Sequence, residues 1–261
     1  MFNQFDDLLG VRKYDFMTGS KVDIPHASAD FMRLANNDVA TLDIEPVMHD
    51  ANELVAKVIV RNKVGHRFPS GVGFRRAFIE LLVIEQQAKG NTKENSEGNA
   101  LTDAEERIVW SSGRTNQLGV LVDSDDQPLA SEFFKTDSDN VSESLENGGD
   151  QQASQAHHEV IASPSQVQRY ETLLHSDSHR YTTSFIHGSN VVKDNRLLPR
   201  GWKAEGPGAG LRGEFLKATH PGPVAKHDPR YSDGSGSDEV TYRVALPAGV
   251  DVARLKGVQS P

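Results

Sequence analysis

"NELVAKVIVRN" (Asn52–Asn62) is rich in valine and alternates between apolar and polar residues. A period of two with β-branched residues is typical of a strand that buries one face. The same reasoning predicts strands at "RRAFIELLVIE" (Arg75–Glu85) and "RIVWSSG" (Arg107–Gly113). Polar segments rich in Gly and Asn follow the second of these strands, which is typical of a long loop.

Further short strands are predicted in the second half of the chain, again separated by turn-rich loops. They are "HHEVIA" (157–162), "QVQRYETLL" (166–174), "RYTTSFIH" (180–187) and "EVTYRVALP" (239–247). Because no βαβ rhythm is visible, the pattern predicts a mainly β fold, an antiparallel β-sandwich with long loops. We expect less than about 15% helix, most of it before residue 50, where apolar residues have helical spacing.

The domain organisation follows from where the strand pattern begins. Residues 1–50 are predicted to be a short, partly helical lead-in, and residues 51–261 a β-sandwich domain. A strand pattern starts after Gly249 and the sequence then stops, which would leave a sheet edge unprotected. We therefore expect the domain to be truncated at its C-terminus.

Composition limits the kinds of site that the chain can hold. With no cysteine, it has no disulfide, no zinc–thiolate site, no iron–sulfur cluster and no covalently attached c-type haem of its own. No apolar run approaches the roughly 20 residues that span a bilayer, so membrane insertion is not expected. The first twenty residues have neither the basic start nor the apolar core of a secretory signal.

The charge of the chain is unevenly distributed. Residues 85–150 hold 15 acidic and 5 basic side chains, a balance of −10, whereas the rest of the chain has a balance of +1. Such a segment disfavours binding to nucleic acid and would suit a basic partner or divalent cations. The alternative is a solvated acidic loop, the commoner origin of such a charge run.

The loop between the first two strands contains a histidine held between residues that restrict the backbone. In "GHRFPSG", Gly65 and Gly71 allow positive φ and Pro69 fixes its own φ. His66 is therefore expected to sit on a rigid loop, as a metal or haem ligand requires. The alternative is that His66 stabilises the turn through hydrogen bonds.

Two adjacent arginines follow this loop. Arg75 and Arg76 point to opposite faces of the predicted strand, so one of them faces inward. A buried guanidinium needs a carboxylate, a haem propionate or several carbonyl oxygens. An internal salt bridge is the simpler alternative.

His157 and His158 begin another predicted strand. Neighbouring side chains diverge in a strand, so only one of the two is a candidate ligand for a given metal or haem. The alternative is one core histidine and one surface histidine.

The loop "HDPRYSDGSGSDEV" (227–240) combines three carboxylates with glycines and serines. Asp228, Asp233 and Asp238 supply hard oxygen ligands on a flexible loop, which suits Ca²⁺, although the spacing is not that of an EF-hand. A turn with solvated carboxylates is the alternative. Elsewhere no nucleophile–base signature, zinc-protease motif or phosphate loop is found, so the chain is not expected to be an enzyme.

Several segments together resemble one known group of proteins. "VRNKVGHRFPSGVGFRRAFIELLV" is similar to the Gly-His-x-x-Pro-[Ser/Thr]-Gly signature of multihaem c-type cytochromes. "IVWSSGRTNQLGVLVD", "TTSFIHGSNVVKDNRLLPRGW" and "GSDEVTYRVALPAG" follow in the order found in the non-haem C-terminal region of such proteins. The resemblance covers about residues 50–255, and the chain departs from it by lacking every Cys-x-x-Cys-His motif.

The resemblance implies a redox-inert β-domain or fragment of an exported, respiratory electron-transfer protein, located in the periplasm or at the cell surface. Its partner would be a multihaem cytochrome subunit or an upstream haem domain. His66, Arg75 and Arg76 would face a haem or its propionates in trans. The alternatives are a Ca²⁺- or glycan-binding β-sandwich that acts alone and, more remotely, a hydrolase with an unfamiliar site.

Overall fold

The computed structural model describes residues 24–49, 52–71, 75–87, 93–94, 100–101, 105–132, 154–177, 181–184, 186–206, 220–222, 225, 227–251 and 254–258. Of these residues, 41% lie in strands and 12% in helices, which confirms the predicted mainly β fold. The long polar loop predicted after Glu85, residues 86–106, lies mostly outside the described residues. Most of the polar residues 135–155, which also have the composition of a loop, lie outside them as well. No described helix is long and apolar enough to cross a bilayer.

The described residues form thirteen strands, two α-helices and one 3-10 turn. In chain order they are α1 (Ile24–Asn37), β1 (Ala40–His49), β2 (Glu53–Asn62), β3 (Arg76–Phe78), β4 (Leu81–Gln87), β5 (Lys93–Glu94), β6 (Ala100–Leu101), β7 (Glu105–Ser112), the 3-10 turn (Ala130–Glu132), β8 (Val160–Ile161), β9 (Arg169–His175), β10 (Tyr181–Thr182), β11 (Asn190–Asp194), α2 (Pro229–Ser232), β12 (Ser237–Ala245) and β13 (Leu255–Val258).

β2, formed by the valine-rich segment Glu53–Asn62, lies inside the first sheet, whose order is β1-β2-β12-β8. β2 pairs antiparallel with both β1 and β12, and Val58 lies opposite Val240, both fully buried. Apolar side chains at alternate positions of β2 therefore point into the core, as its sequence pattern predicts. β8 pairs parallel with β12, an exception to the antiparallel arrangement.

Two smaller sheets complete the fold. One has the order β13-β4-β7, and the other has the order β10-β9-β11 with β3 also paired to β9. A single buried cluster joins side chains of β2, β4, β7, β8, β9 and β12. Within it, the rings of Trp110 and Tyr242 meet edge to face at 6.1 Å. The sheets thus pack on a shared core, as in a β-sandwich.

One predicted strand is two strands in the structure. "RRAFIELLVIE" breaks between β3 and β4 at Ile79 and Glu80, so that β3 pairs with β9 while β4 pairs with β7 and β13. The N–H of Ile79 donates to the carbonyl of Gln168 at 3.1 Å. Ile79 at the break is buried and β3 is half-buried, so the chain can leave one sheet and join the next while its apolar side chains stay in the core.

The N-terminal residues contribute more than a helix. α1 lies in the predicted lead-in, but Ala40–His49 of the same segment forms β1, which pairs with β2 along its whole length. Leu42 and Ile44 of β1 pack against the core cluster. Near the other end of the chain, β13 pairs antiparallel with β4.

The break between β3 and β4 depends on a close backbone contact at Gly113. Gly113 has φ +79°, and a Cβ there would lie 2.2 Å from the carbonyl oxygen of Ile79. Gly113→Ala is expected to lower the free energy of unfolding by about 2–4 kcal/mol, because it combines a left-handed backbone with overpacking. Gly119→Ala is the matched control, since Gly119 has φ +75° and open space around its Cβ position.

The control is expected to cost only about 1–2 kcal/mol for the left-handed backbone. Urea unfolding of both variants measures the difference. Equal losses at the two positions would contradict the close contact.

Candidate functional site

Asn62, the last residue of β2, holds the loop that follows it. Its buried amide nitrogen lies 2.7 Å from the carbonyl oxygen of His66, and 3.3 and 3.2 Å from those of Leu197 and Leu198. Its Oδ1 accepts a hydrogen bond from the N–H of Val64 at 2.9 Å. One side chain therefore closes the turn and ties it to the segment after β11.

His66 is presented on the outside of this loop. Its ring is exposed, and Nδ1 lies 3.0 Å from the carbonyl oxygen of Arg67. A carbonyl oxygen only accepts, so Nδ1 carries the hydrogen and the lone pair is on Nε2. Paired backbone hydrogen bonds between Phe68 and Leu197, at 3.0 and 2.8 Å, fix the next part of the loop, which also contains the cis Phe68–Pro69 peptide.

The two arginines have different surroundings. Arg75 is exposed, and its Nη1 lies 3.3 Å from the carbonyl oxygen of Ser70. Arg76 forms a two-pronged ion pair with Glu132, at 2.6 and 2.7 Å, and also donates to the carbonyl of Gly119 at 3.0 Å. Arg76 thus forms an internal salt bridge, the simpler of the two arrangements predicted for the buried arginine.

The ion pair of Arg76 and Glu132 belongs to a larger buried network, which we call the Glu132 network. Its members are Arg76, Glu132, Arg169, Glu171 and Lys193. Glu132 Oε1 also accepts from Arg169 Nη1 at 2.7 Å, while Glu171 Oε1 accepts from Arg169 Nε at 2.8 Å and from Lys193 Nζ at 3.0 Å. Burial lowers the pKa of Lys193 to about 8, although the charge of Glu171 opposes this change.

At Glu132, hydrogen bonds and neighbouring charges outweigh burial in setting the pKa, the reverse of the result at Lys193. Burial alone would raise the pKa of its carboxyl, but the hydrogen bonds and charge of Arg76, the N–H of Leu121 and the charge of Arg169 together bring that pKa below its usual value. The carboxylate form of Glu132 is therefore the stable one in the folded protein.

His157 lies in a second buried polar cluster, where it meets two of the carboxylates of the 227–240 loop. Its side chain is 2% exposed, and Nε2 lies 3.2 Å from Asp228 Oδ2. The amide of Gln168 donates to Asp238 Oδ2 at 2.8 Å and lies 3.0 Å from Nδ1 of His157. His157, Asp228 and Asp238 are thus close enough to surround one cation.

The hydrogen bonds at His157 nevertheless oppose metal binding. Gln168 Oε1 accepts from the backbone N–H of His158, and Asn195 Oδ1 accepts from that of Glu171, so both amides turn their NH₂ groups towards Nδ1 of His157. Nδ1 must then accept, which places the hydrogen on Nε2, where it is donated to Asp228. An imidazole in this state has no lone pair on the side of the carboxylates.

The carboxylates are also in use. Asp228 caps α2 by accepting from the N–H of Arg230 at 2.8 Å, and Asp238 Oδ2 accepts from the hydroxyl of Tyr170 at 2.7 Å. Asp233 is exposed and accepts from the N–H of Ser235. The structure therefore brings Asp228 and Asp238 together with His157 and leaves Asp233 outside, so the predicted Ca²⁺ set is not assembled.

His158 points away from this cluster. It is half-buried, with Nε2 3.2 Å from Gln155 Oε1. Burial, followed by the charge of Lys193, lowers the pKa of His158 to about 4. The adjacent histidines thus diverge as expected, and a neutral His158 can donate to the amide oxygen of Gln155.

Comparisons with known proteins gave no match: no protein-family model, no curated protein and no solved structure is significantly similar to the chain. The resemblance to multihaem cytochromes therefore rests on the sequence motifs and stays a prediction.

Sequence reasoning missed the residues that organise both regions. Asn62 was counted only as a strand end, although an asparagine just before a Gly-His turn is a local signal for side-chain bonds to the backbone. Glu132 was counted with the acidic segment, and its partners lie 37 and 56 positions away in sequence. No spacing rule reveals such a pairing.

Asn62→Ala is expected to lower the free energy of unfolding by about 1–3 kcal/mol, because buried carbonyl groups lose their donor. Asn62→Asp should cost more at neutral pH, since a carboxylate would face those carbonyls. Denaturant unfolding measures both effects, with Asn190→Ala as an exposed control. Losses no larger than the control would show that Asn62 does not hold the loop.

The lowered pKa of His158 predicts a pH dependence of stability. Between the ordinary histidine pKa of about 6.5 and the folded value of about 4, the unfolded chain binds a proton that the folded chain does not. The free energy of unfolding should therefore decrease as the pH falls through this range. In His158→Gln this contribution is absent, while every other group is retained.

The measurement is the difference in unfolding free energy between the two proteins from pH 8 to pH 4. Wild type should lose stability relative to His158→Gln below about pH 6.5. A difference that stays constant across the range would contradict the assignment.

Proposed function

We propose that the chain is a redox-inert β-domain that docks against a multihaem c-type cytochrome subunit or haem domain and presents His66 to a haem. The observation that carries the proposal is the state of the His66 imidazole. It is exposed, its Nδ1–H is bonded to the Arg67 carbonyl, and its Nε2 lone pair is available.

This arrangement meets the chemical needs of a ligand supplied in trans. Histidines that bind metals usually donate their other ring N–H to a carbonyl or carboxylate, which fixes the tautomer and the ring orientation. The bonds of Asn62 hold the loop before binding, so little conformational entropy remains to be lost in the complex.

The remaining features agree with a docking role. The chain has no cysteine and so no covalent haem of its own, and the acidic segment of residues 85–150 would favour a basic partner. Location in the periplasm or at the cell surface is part of the same proposal, because the resemblance implies an exported protein.

A haem c peptide with one open axial position tests the ligand role. Wild type is expected to convert the haem to its low-spin spectrum with 1:1 stoichiometry, and His66→Ala should bind at least about tenfold more weakly. His187→Ala is the matched control, because His187 is also exposed on a loop. Circular dichroism should show all three proteins folded.

If His66→Ala binds the haem peptide as tightly as wild type, His66 is not the ligand. The docking role is tested separately by the visible spectrum of the protein isolated under mild conditions from its native source. We expect c-type haem to accompany it in a joined domain or an associated subunit, and its complete absence would overturn the docking role.

A further inference from the structure

The Glu132 network contains one more positive charge than it has carboxylates. Arg76, Arg169 and Lys193 face only Glu132 and Glu171 among the described residues. The side chains of Arg169 and Lys193 are each 3% exposed, so water does not screen their charge. Arg76 reaches solvent, with 28% of its side chain exposed, and burial lowers the pKa of Lys193, so both reduce the cost of the extra positive charge. An anion beside the network would balance what remains.

A cavity of about 180 Å³ lies against this network. Since a water molecule occupies about 30 Å³ in the liquid, the space corresponds to roughly six non-hydrogen atoms. Besides members of the network, its lining includes hydroxyl-bearing side chains of β9, β10 and the neighbouring turns, namely Ser131, Thr172, Tyr181, Thr182 and Thr183. The volume and the lining suit a small polar group.

Two donors in the lining have no anionic partner. Arg75 is exposed, and no carboxylate among the described residues pairs with it. The Oγ1 atom of Thr172 is buried, and among the described residues it has no hydrogen-bond partner. A buried hydroxyl without a partner is destabilising, so a ligand that accepts from it would recover that free energy.

We propose that this cavity is a binding site for a carboxylate group. Arg75 and Thr172 would donate to the carboxylate oxygens, and the negative charge would balance the excess cation of the Glu132 network. The site uses residues other than His66, so it can exist whether or not the chain binds haem.

Acetate and succinate are the first probes, with sodium chloride of equal ionic strength as the reference. Resonances of the Arg75 side chain and the Thr172 amide are expected to shift saturably in NMR titrations. Arg75→Gln and Thr172→Val should each weaken binding several-fold to about tenfold. Arg200→Gln, at another exposed arginine, should bind like wild type.

Thr172→Val also separates a binding role from a structural one. Because valine replaces an unpartnered hydroxyl with a group of similar shape, the variant should be as stable as wild type or more stable, while binding acetate more weakly. A residue with only a structural role would not combine these two effects.

The proposal is overturned if no saturable shift occurs up to about 100 mM acetate, where a binding free energy of only about −1.4 kcal/mol would be detected. It is also overturned if Arg75→Gln and Thr172→Val both bind like wild type. Arg75 is on the surface, so Arg75→Gln is expected to fold and to keep the test decisive.

Competition against acetate then identifies the source of the carboxylate. A glutamate-rich peptide tests whether the site binds acidic side chains of a partner. A haem peptide with free propionates tests whether it binds haem propionates, and the ester of that haem peptide is the control. If one of these probes displaces acetate, the site also binds carboxylates from that source. If neither displaces acetate, the carboxylate site is one for small free acids.

Discussion

The carboxylate of Glu132 is the constraint on which this part of the molecule depends. Its two oxygens accept from Arg76, Arg169 and the N–H of Leu121, so one side chain joins β3, β9 and the segment between β7 and the 3-10 turn. Because the carboxylate is 4% exposed, removing it would leave two guanidinium groups without their anion. The same network fixes the path of β3 and leaves the surplus charge beside the cavity.

Much of the architecture could be predicted because several strands carry their own pattern. Residues 52–62 and 239–247 alternate clearly between apolar and polar side chains, and both lie in the β1-β2-β12-β8 sheet. The division of residues 75–85 between two sheets could not be predicted, since the segment has no glycine, proline or other turn signal to show where its pairing changes. β1 was missed because only Leu42 and Ile44 mark its alternation before Pro46.

Less of the candidate sites could be predicted, since these depend on contacts between distant residues. The rigid turn around His66 could be predicted from its glycines and proline. The tautomer of His66 could not, because it depends on the position of the Arg67 carbonyl oxygen. His157 and Asp228 are 71 positions apart and meet only in the folded chain, where amide groups hold the imidazole in a state unsuited to metal. The fold thus leaves two surfaces of different chemistry: an exposed imidazole at His66 and a cavity lined by cationic side chains beyond β3.

A high-resolution crystal structure of the protein grown with acetate most directly tests the proposal that the cavity beside the Glu132 network binds a carboxylate. The account predicts planar density for a carboxylate in the cavity, with its oxygens within about 3 Å of Arg75 and of Thr172 Oγ1. Ordered water in the cavity, with the Thr172 hydroxyl bonded to it and acetate absent at saturating concentration, would contradict the account.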